Sequence, residues 1–209
     1  MMEYKGSTGL QGNWEETYRR TPSAELPWNA GMADGDLKEL LLNPALIPGK
    51  AYDLGCGPGH DAAFLAQRGW DVTAVDLSPS AVKLAKETAA RTGVEGKIRF
   101  LVWNVLNLPQ SGDAALVHDR GCFHTLPSET WPGYIRTASG LLAKGGFLTL
   151  KVFSVKTPKT TGGAGPYRFN EGELRSLFEN DFDWISMREN FFHGPYRPYS
   201  LFCVLRKKK

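Results

Sequence analysis

Ala51-Tyr52-Asp53-Leu54-Gly55-Cys56-Gly57-Pro58-Gly59, followed by Val72-Thr73-Ala74-Val75-Asp76, is the stretch that decides the fold. An apolar strand ends at an acid, glycines alternate through a tight turn, a helix starts near His60 and Asp61, and a second short strand ends on Asp76. Alternate glycines let the backbone turn sharply and approach a ligand where a Cβ would collide, and the helix start presents unpaired N–H groups. In a dinucleotide fold that helix end faces a pyrophosphate, and the glycine spacing is G-x-G-x-x-G. Here the spacing is G-x-G-x-G, and Asp53 stands two residues before the first glycine. A carboxylate at that point repels a pyrophosphate and suits an ammonium group. Asp76 is placed to accept hydrogen bonds from a ribose diol.

Strand and helix patterns alternate outward from this turn. Ser78-Pro79 supplies an N-cap and a first-turn proline for a helix running towards Gly93, with Ala81, Val82, Leu84, Ala85 and Ala89 on its apolar face. Ile98–Trp103, Ala114–His118 and Phe147–Phe153 read as the third, fourth and fifth strands, with a helix from Trp131 to Leu142 before the fifth. Asn170 and Glu173 form a capping-box pattern for a helix to Asn180, and strands near Trp184–Phe192 and Ser200–Arg206 close the chain. Alternating βα units predict a doubly wound sheet, whose ligands bind beyond the carboxyl ends of the strands.

An adenosine ligand that carries an ammonium group and no phosphate is S-adenosyl-L-methionine. Asp53 to Gly59 together with Asp76 resembles motif I and the following acid of the class I S-adenosylmethionine-dependent methyltransferases, over roughly Lys50 to the C-terminus. The resemblance implies a Rossmann-like seven-stranded sheet with an antiparallel final strand, and S-adenosyl-L-homocysteine as product. It implies that Gly55, Gly57 and Gly59 wrap the methionine and ribose, and that Asp76 binds the ribose hydroxyls. Leu77 and Val105 would flank the adenine or serve as ordinary packing. Asn104 stands where the family often has an acid facing the adenine amino group, and its amide oxygen can accept the same hydrogen bond.

Asp119, ending the fourth strand, resembles motif IV, between the cofactor's methionine end and the substrate. The run Asp119-Arg120-Gly121-Cys122-Phe123-His124 resembles a small-molecule branch that includes thiopurine methyltransferase-like and tellurite-resistance-like proteins. Trp14, Tyr18 and Trp28 resemble the N-terminal cover of that branch, with Trp28 reaching the cofactor; the alternative is that these aromatics staple a helix to the sheet. Asp119 and His124 are the candidate catalytic bases. An Asp119–Arg120 structural pair and a packing role for His124 are the competing readings. Trp14 and Tyr18 of the cover, Arg120, Phe123 and His124, with Tyr196 and Arg197 from the final connector, are the candidate substrate contacts. The loop Lys156–Pro166 has the composition of a lid.

The remaining chemistry narrows the class. A length of 209 residues suits one α/β domain, with 1–47 as an N-terminal helical cover and 48–209 as the core. The formal charge of +3 includes the terminal Arg206-Lys207-Lys208-Lys209, which leaves no basic surface spread over the fold for nucleic acid. Cys56, Cys122 and Cys203 are widely spaced and suggest a reducing compartment. With no run of membrane length and no signal-peptide pattern, a cytoplasmic monomer or homodimer is expected. His60, His118 and His193 show no metal-ligand spacing, and no N-P-P-[YF]-like tetrapeptide follows the fourth strand, so a metal-independent enzyme with a small-molecule acceptor is expected. A thiol or other soft nucleophile comes first, and a phenolic or heteroaromatic oxygen or nitrogen second. A nicotinamide oxidoreductase and a non-catalytic cofactor-binding subunit are the readings from other classes.

Overall fold

Period-two alternation sorts the strands of a twisted sheet into two apolar faces, each covered by helices. The computed structural model describes residues 13–44, 46–158, 165–194 and 196–208. The sheet contains β1 (Lys50–Leu54), β2 (Asp71–Asp76), β3 (Ile98–Val102), β4 (Ala114–Arg120), β5 (Leu142–Ser154), β6 (Arg168–Phe169), β7 (Phe182–Phe191) and β8 (Tyr199–Lys207). Their order is β3-β2-β1-β4-β5-β8-β7, and the short β6 pairs with the end of β5. The pairs among β1 to β5 are parallel, while β8 inserts antiparallel between β5 and β7. This is the expected doubly wound sheet with its antiparallel final strand; the two-residue β6 is an addition that no sequence pattern announced.

Leu54, Val75, Val117, Leu148, Leu150 and Leu205 point to one face and pack with α5 (Trp131–Leu141) and α6 (Glu171–Phe178). On the other face, Ala51, Val72, Ala74, Ile98 and Leu116 meet α3 (His60–Gln67) and α4 (Pro79–Arg91). The local signals act as expected. Ser78 Oγ accepts from Ala81 N–H at 3.0 Å to cap α4, and Asn170 and Glu173 complete the capping box of α6. Among the described residues, no helix is long and apolar enough to cross a membrane.

The N-terminal segment lies against the mouth of the sheet. α1 (Trp14–Arg20) docks on the start of α4 through Glu15, whose carboxylate accepts from Ser78 Oγ at 2.6 Å, Ser80 N–H at 2.9 Å and Ser80 Oγ at 2.7 Å. An acid is favoured there because it meets the unpaired N–H groups and positive dipole end of α4. Tyr18, Leu26 and Ala81, with Trp14, Trp28 and Leu84, form a small separate apolar cluster beneath α1. α2 (Gly35–Leu40) follows, capped by Asp34, and carries Leu37 into the core. The glycines Gly6, Gly9 and Gly12 lie outside the described residues.

Candidate active site

The chain runs from β1 outward to β2 and β3 on one side, then crosses back to place β4 on the other side of β1, so a crevice opens beyond the carboxyl ends of β1 and β4. The glycine turn sits there. Gly55, Gly57 and Gly59 have φ of +69°, +49° and +77°, which favours glycine at each. The expected reason, room for a ligand, is corrected in part, because protein groups occupy the spaces their side chains would fill. A Cβ at Gly55 would stand 2.5 Å from Cys122 Cβ, one at Gly57 2.8 Å from Tyr18 Oη, and one at Gly59 2.7 Å from Ala85 Cβ. The glycines thus draw the post-β4 loop, the N-terminal cover and α4 tightly around one turn.

Two carboxylates frame that turn. Asp76 accepts from Gly57 N–H and from Ser78 N–H, both at 2.9 Å, and burial raises its pKa. The Leu77 N–H is a third donor to this carboxylate, whose roughly four acceptor sites leave room for a ligand hydroxyl. Asp53 is buried beneath the turn; it accepts from the Ala62 amide in the first turn of α3, while its Oδ2 has no partner among the described residues. Burial, reinforced by Asp61 and Asp119, lifts its pKa to about 7, against a lowering pull from His118. An orphaned buried carboxylate oxygen fits a cationic ammonium ligand. Asp76→Ala is expected to weaken S-adenosylhomocysteine binding by about 1–3 kcal/mol, the scale of unmade buried hydrogen bonds; titration calorimetry showing unchanged affinity would remove Asp76 from the site.

At the expected adenine position the candidates separate. Leu77 is 56% exposed and free to meet a ring. Val105 instead packs into the core with Leu54 and Val117, which corrects the expectation that it lines the crevice. Asn104 is exposed, and its Oδ1 accepts from Leu106 N–H at 2.9 Å, so the amide first closes its own turn. Trp103, read from the sequence only as the end of the third strand and not as a site residue, is 45% exposed just after β3.

At the end of β4 the structure corrects three expected roles. Asp119 is fully buried on the α5 side and accepts from Cys122 N–H at 2.8 Å, Phe123 N–H at 3.0 Å and Tyr134 Oη at 2.6 Å. It anchors the post-β4 loop and does not face an acceptor, although burial raises its pKa to about 6. Phe123 is a core residue packed on Phe169, Tyr134 and Phe178. Arg120 is a clamp: its guanidinium donates to Asp34 Oδ2 at 3.0 Å, the Trp28 carbonyl at 3.1 Å and the His193 carbonyl at 3.2 Å. It therefore holds the N-terminal cover and the β7–β8 connector together over the crevice, and its partner is Asp34 rather than Asp119.

His124 is 4% exposed, and its ring lies between Phe153 at 4.5 Å and Phe192 at 5.6 Å. Its Nδ1 accepts from Phe153 N–H at 2.9 Å. Burial, with Arg168 and Arg120 nearby, lowers its pKa to about 3. A ring held in this way cannot take a proton readily at neutral pH, which corrects its expected role as general base.

Behind the crevice runs a chain of buried charges that the sequence did not disclose. Lys151 on β5 meets Asp34 and Asp36 at 2.7 Å each, with all three side chains fully buried. Asp36 also binds Arg188 at 2.8 Å and Asn190 at 2.6 Å. Asp61 accepts from Asp34 N–H at 2.6 Å and pairs with His118 at 3.4 Å, and His118 Nδ1 meets Thr149 Oγ1 at 2.8 Å. Burial opposes both charges of the Asp61–His118 pair, but their attraction holds the Asp61 carboxyl low and raises His118.

The cover and connector complete the walls. Trp28 donates its indole N–H to Tyr18 Oη at 2.9 Å, and Trp14 and Tyr18 each meet Trp28 edge to face. These contacts staple α1 to the sheet and bring Tyr18 onto Gly57. From the β7–β8 connector, Phe192 packs beneath the Arg120 guanidinium and His193 offers it its carbonyl. Arg197 is exposed, with φ +40° and its guanidinium over Phe191, and Tyr196 is exposed beside it. Residues 159–164 of the expected lid lie outside the described residues; its base is tied by Arg168 to the carbonyls of Thr157, Pro158 and Pro166.

Comparison with known proteins agrees with this architecture. Residues 51–146 match the family model described as "Methyltransferase domain". The chain is 30% identical over 173 residues to a 2-heptyl-1-hydroxyquinolin-4(1H)-one methyltransferase of Mycobacteroides abscessus, covering 80% of this chain and 75% of that protein. It is 25% identical over 181 residues to thiocyanate methyltransferase 1 of Arabidopsis thaliana, covering 86% and 77%. Among solved structures, the 1,6-didemethyltoxoflavin-N1-methyltransferase of Burkholderia thailandensis, with S-adenosylhomocysteine bound, shares the fold at a TM-score of 0.74 and 23% identity, over 94% of this chain and 86% of that one.

Proposed function

Because the chain belongs to the class I S-adenosylmethionine-dependent methyltransferases and acts on small molecules, we propose that its acceptor reaches the site already ionised, as the anion of an acidic hydroxylated heteroaromatic. The observation that supports this is the state of the two expected bases. Asp119 is buried with both oxygens engaged, and His124 has its Nδ1 lone pair committed to Phe153 N–H with a pKa of about 3. A nucleophile that ionises by itself needs neither.

The bound cofactor supplies a methyl group on a positive sulfonium, so the charges of donor and anion are neutralised together as the methyl moves. The residues around the crevice exclude water and align the partners, which favours such a step. The rings of Phe153, Phe192 and His124 suit a flat acceptor. The relative that acts on a hydroxyquinolinone favours the same class. The thiocyanate relative favours a second reading, a thiolate or similar soft anion, which was the first expectation from the sequence.

The test is S-adenosylhomocysteine release with 1-hydroxyquinolin-4(1H)-one, thiocyanate, thiophenol, phenol and an aliphatic alcohol. Release is expected with the acidic acceptors, and kcat/KM should rise with pH through each acceptor's own pKa. Efficient methylation of the alcohol, or a rate governed by one enzyme group whatever the acceptor, would refute the ionised-acceptor reading. Turnover of thiocyanate and thiophenol without the quinolinone would select the soft-anion reading.

A further inference from the structure

Phe153 N–H is a backbone donor and has no other state, so the His124 Nδ1 facing it at 2.9 Å must be a lone pair. The proton of the neutral ring therefore sits on Nε2. The histidine is pinned from both sides, since its carbonyl also accepts from Tyr167 N–H at 2.7 Å. Nε2 meets no hydrogen-bond partner among the described residues, although the side chain is almost wholly buried between Phe153 and Phe192. Nε2 faces Gly121, 3.3 Å from where a Cβ there would stand, so a side chain at this position, at φ +87° in the loop that packs on the cofactor turn through Cys122, would crowd the donor. Among the described residues Nε2 is not one of the buried polar atoms left without a partner, so it keeps access to solvent, and a ligand acceptor atom can take the place of water there.

We propose that His124 Nε2–H is the donor that recognises the acceptor, gripping a lone-pair atom other than the one methylated: an oxo group, a ring nitrogen or the far end of a small anion. The proposal rests on the ionised-acceptor reading above and deepens it. A base would need the lone pair that Phe153 holds, whereas a fixed donor needs only what the structure provides. Bound to a second atom, the ring leaves the nucleophile's own electrons free and fixes its direction towards the methyl. It also gives a specificity rule. Acceptors with one polar atom lose this contact, whereas 1-hydroxyquinolin-4(1H)-one, with its oxo group, and thiocyanate, with two basic ends, keep it.

The experiment has two arms on the full chain. In the first, the protein bound to S-adenosylhomocysteine carries ¹⁵N-histidine, and His124→Gln assigns the His124 signals. The expected spectrum is that of a neutral ring with its proton on Nε2, unchanged between about pH 8 and pH 5, the range in which an ordinary histidine titrates. A proton on Nδ1, or titration near the usual histidine pKa, overturns the proposal whether or not any acceptor is methylated. Addition of 1-hydroxyquinolin-4(1H)-one, or of thiocyanate, should move the Nε2–H proton resonance downfield. If neither moves it, the proposal is overturned.

In the second arm, His124→Leu should raise KM for whichever of these two acceptors is methylated by about tenfold to a hundredfold, the scale of one buried hydrogen bond. His124→Gln, which keeps an N–H donor, should recover most of that loss, and thiophenol should be affected much less by either change. An unchanged KM in His124→Leu, or equal losses with thiophenol, refutes recognition by His124. A wild-type protein that methylates none of the panel defeats the function proposed above, while the spectrum still decides the state of His124.

Discussion

Lys151→Met is expected to destabilise the protein by about 3 kcal/mol or more, the scale of removing one partner from a buried ion pair. The ammonium stands 2.7 Å from both Asp34 and Asp36, and none of the three side chains is exposed. Methionine fills a similar volume, so the loss would come from charge rather than from a cavity. Arg120 and Arg188 still reach the two carboxylates, which places the effect towards the lower end of the roughly 3–5 kcal/mol range. Chemical denaturation measures it, and Asp36→Leu in the same chain should return part of the loss, because contacting charges are not additive. A loss below about 1 kcal/mol, or strict additivity, would refute the assignment. Burial opposes ionisation of Asp34, but Lys151 and Arg120 outweigh it and hold the carboxyl below its usual pKa. That contribution is present above the unfolded carboxylate pKa and disappears as pH falls through the folded one, so the variant should show a shallower acid-side fall. The same change should loosen the cover, because Asp34 also holds Arg120, and Arg120 holds the Trp28 and His193 carbonyls.

This cluster also shows where sequence reading ended. The turn from Asp53 to Gly59 and the acid at Asp76 were legible because their chemistry is local: a strand, a turn and a helix start adjoin in the chain. Helix caps at Ser78 and Asn170 were legible for the same reason. Lys151 and Asp34 are 117 residues apart, and each looks like an ordinary surface charge in its own neighbourhood. Val105 and Phe123 could be placed at the crevice by position, but which way each side chain points is set by packing against β1, β4 and α6. Asp119 was located correctly at the end of β4, yet alternation turns its carboxylate towards α5 and the Tyr134 hydroxyl. The state of His124 depends on an amide 29 residues further along, brought to it by β5. A glycine pattern reports that side chains are excluded without telling whether ligand or protein excludes them, and here Cys122, Tyr18 and Ala85 do.

Asp53 should make cofactor binding strongly dependent on pH, and Asp53→Asn should abolish that dependence. In the free protein its carboxyl has a pKa of about 7, raised by burial and by the neighbouring Asp61 and Asp119 against the pull of His118. Below that value the group is neutral and offers the ammonium of the ligand no charge; above it, the carboxylate is present and its Oδ2 awaits a partner. A bound ammonium favours the ionised form and lowers the pKa. Binding therefore releases a proton when the free carboxyl is protonated, and affinity for S-adenosylhomocysteine should fall by up to about tenfold per pH unit below that pKa. Calorimetry in buffers of different ionisation enthalpy should detect that proton near pH 6 and little of it near pH 8.5. The amide introduced by Asp53→Asn is the same size with no charge to give, so the variant should bind about 10²–10³-fold more weakly at pH 8, the scale of charged hydrogen bonds and a lost buried pairing, and its affinity should stay flat on acidification. A second titrating group contributes to the wild-type profile, since His118 faces Asp53 and its own pKa is raised by Asp61. His118→Gln should shift the midpoint upwards, because removing that positive charge makes Asp53 still harder to ionise. A wild-type affinity that does not change between pH 5.5 and 8, or an Asp53→Asn variant that keeps the wild-type slope, would place the ammonium elsewhere and leave Asp53 as a buried partner of the Asp61–His118 pair alone.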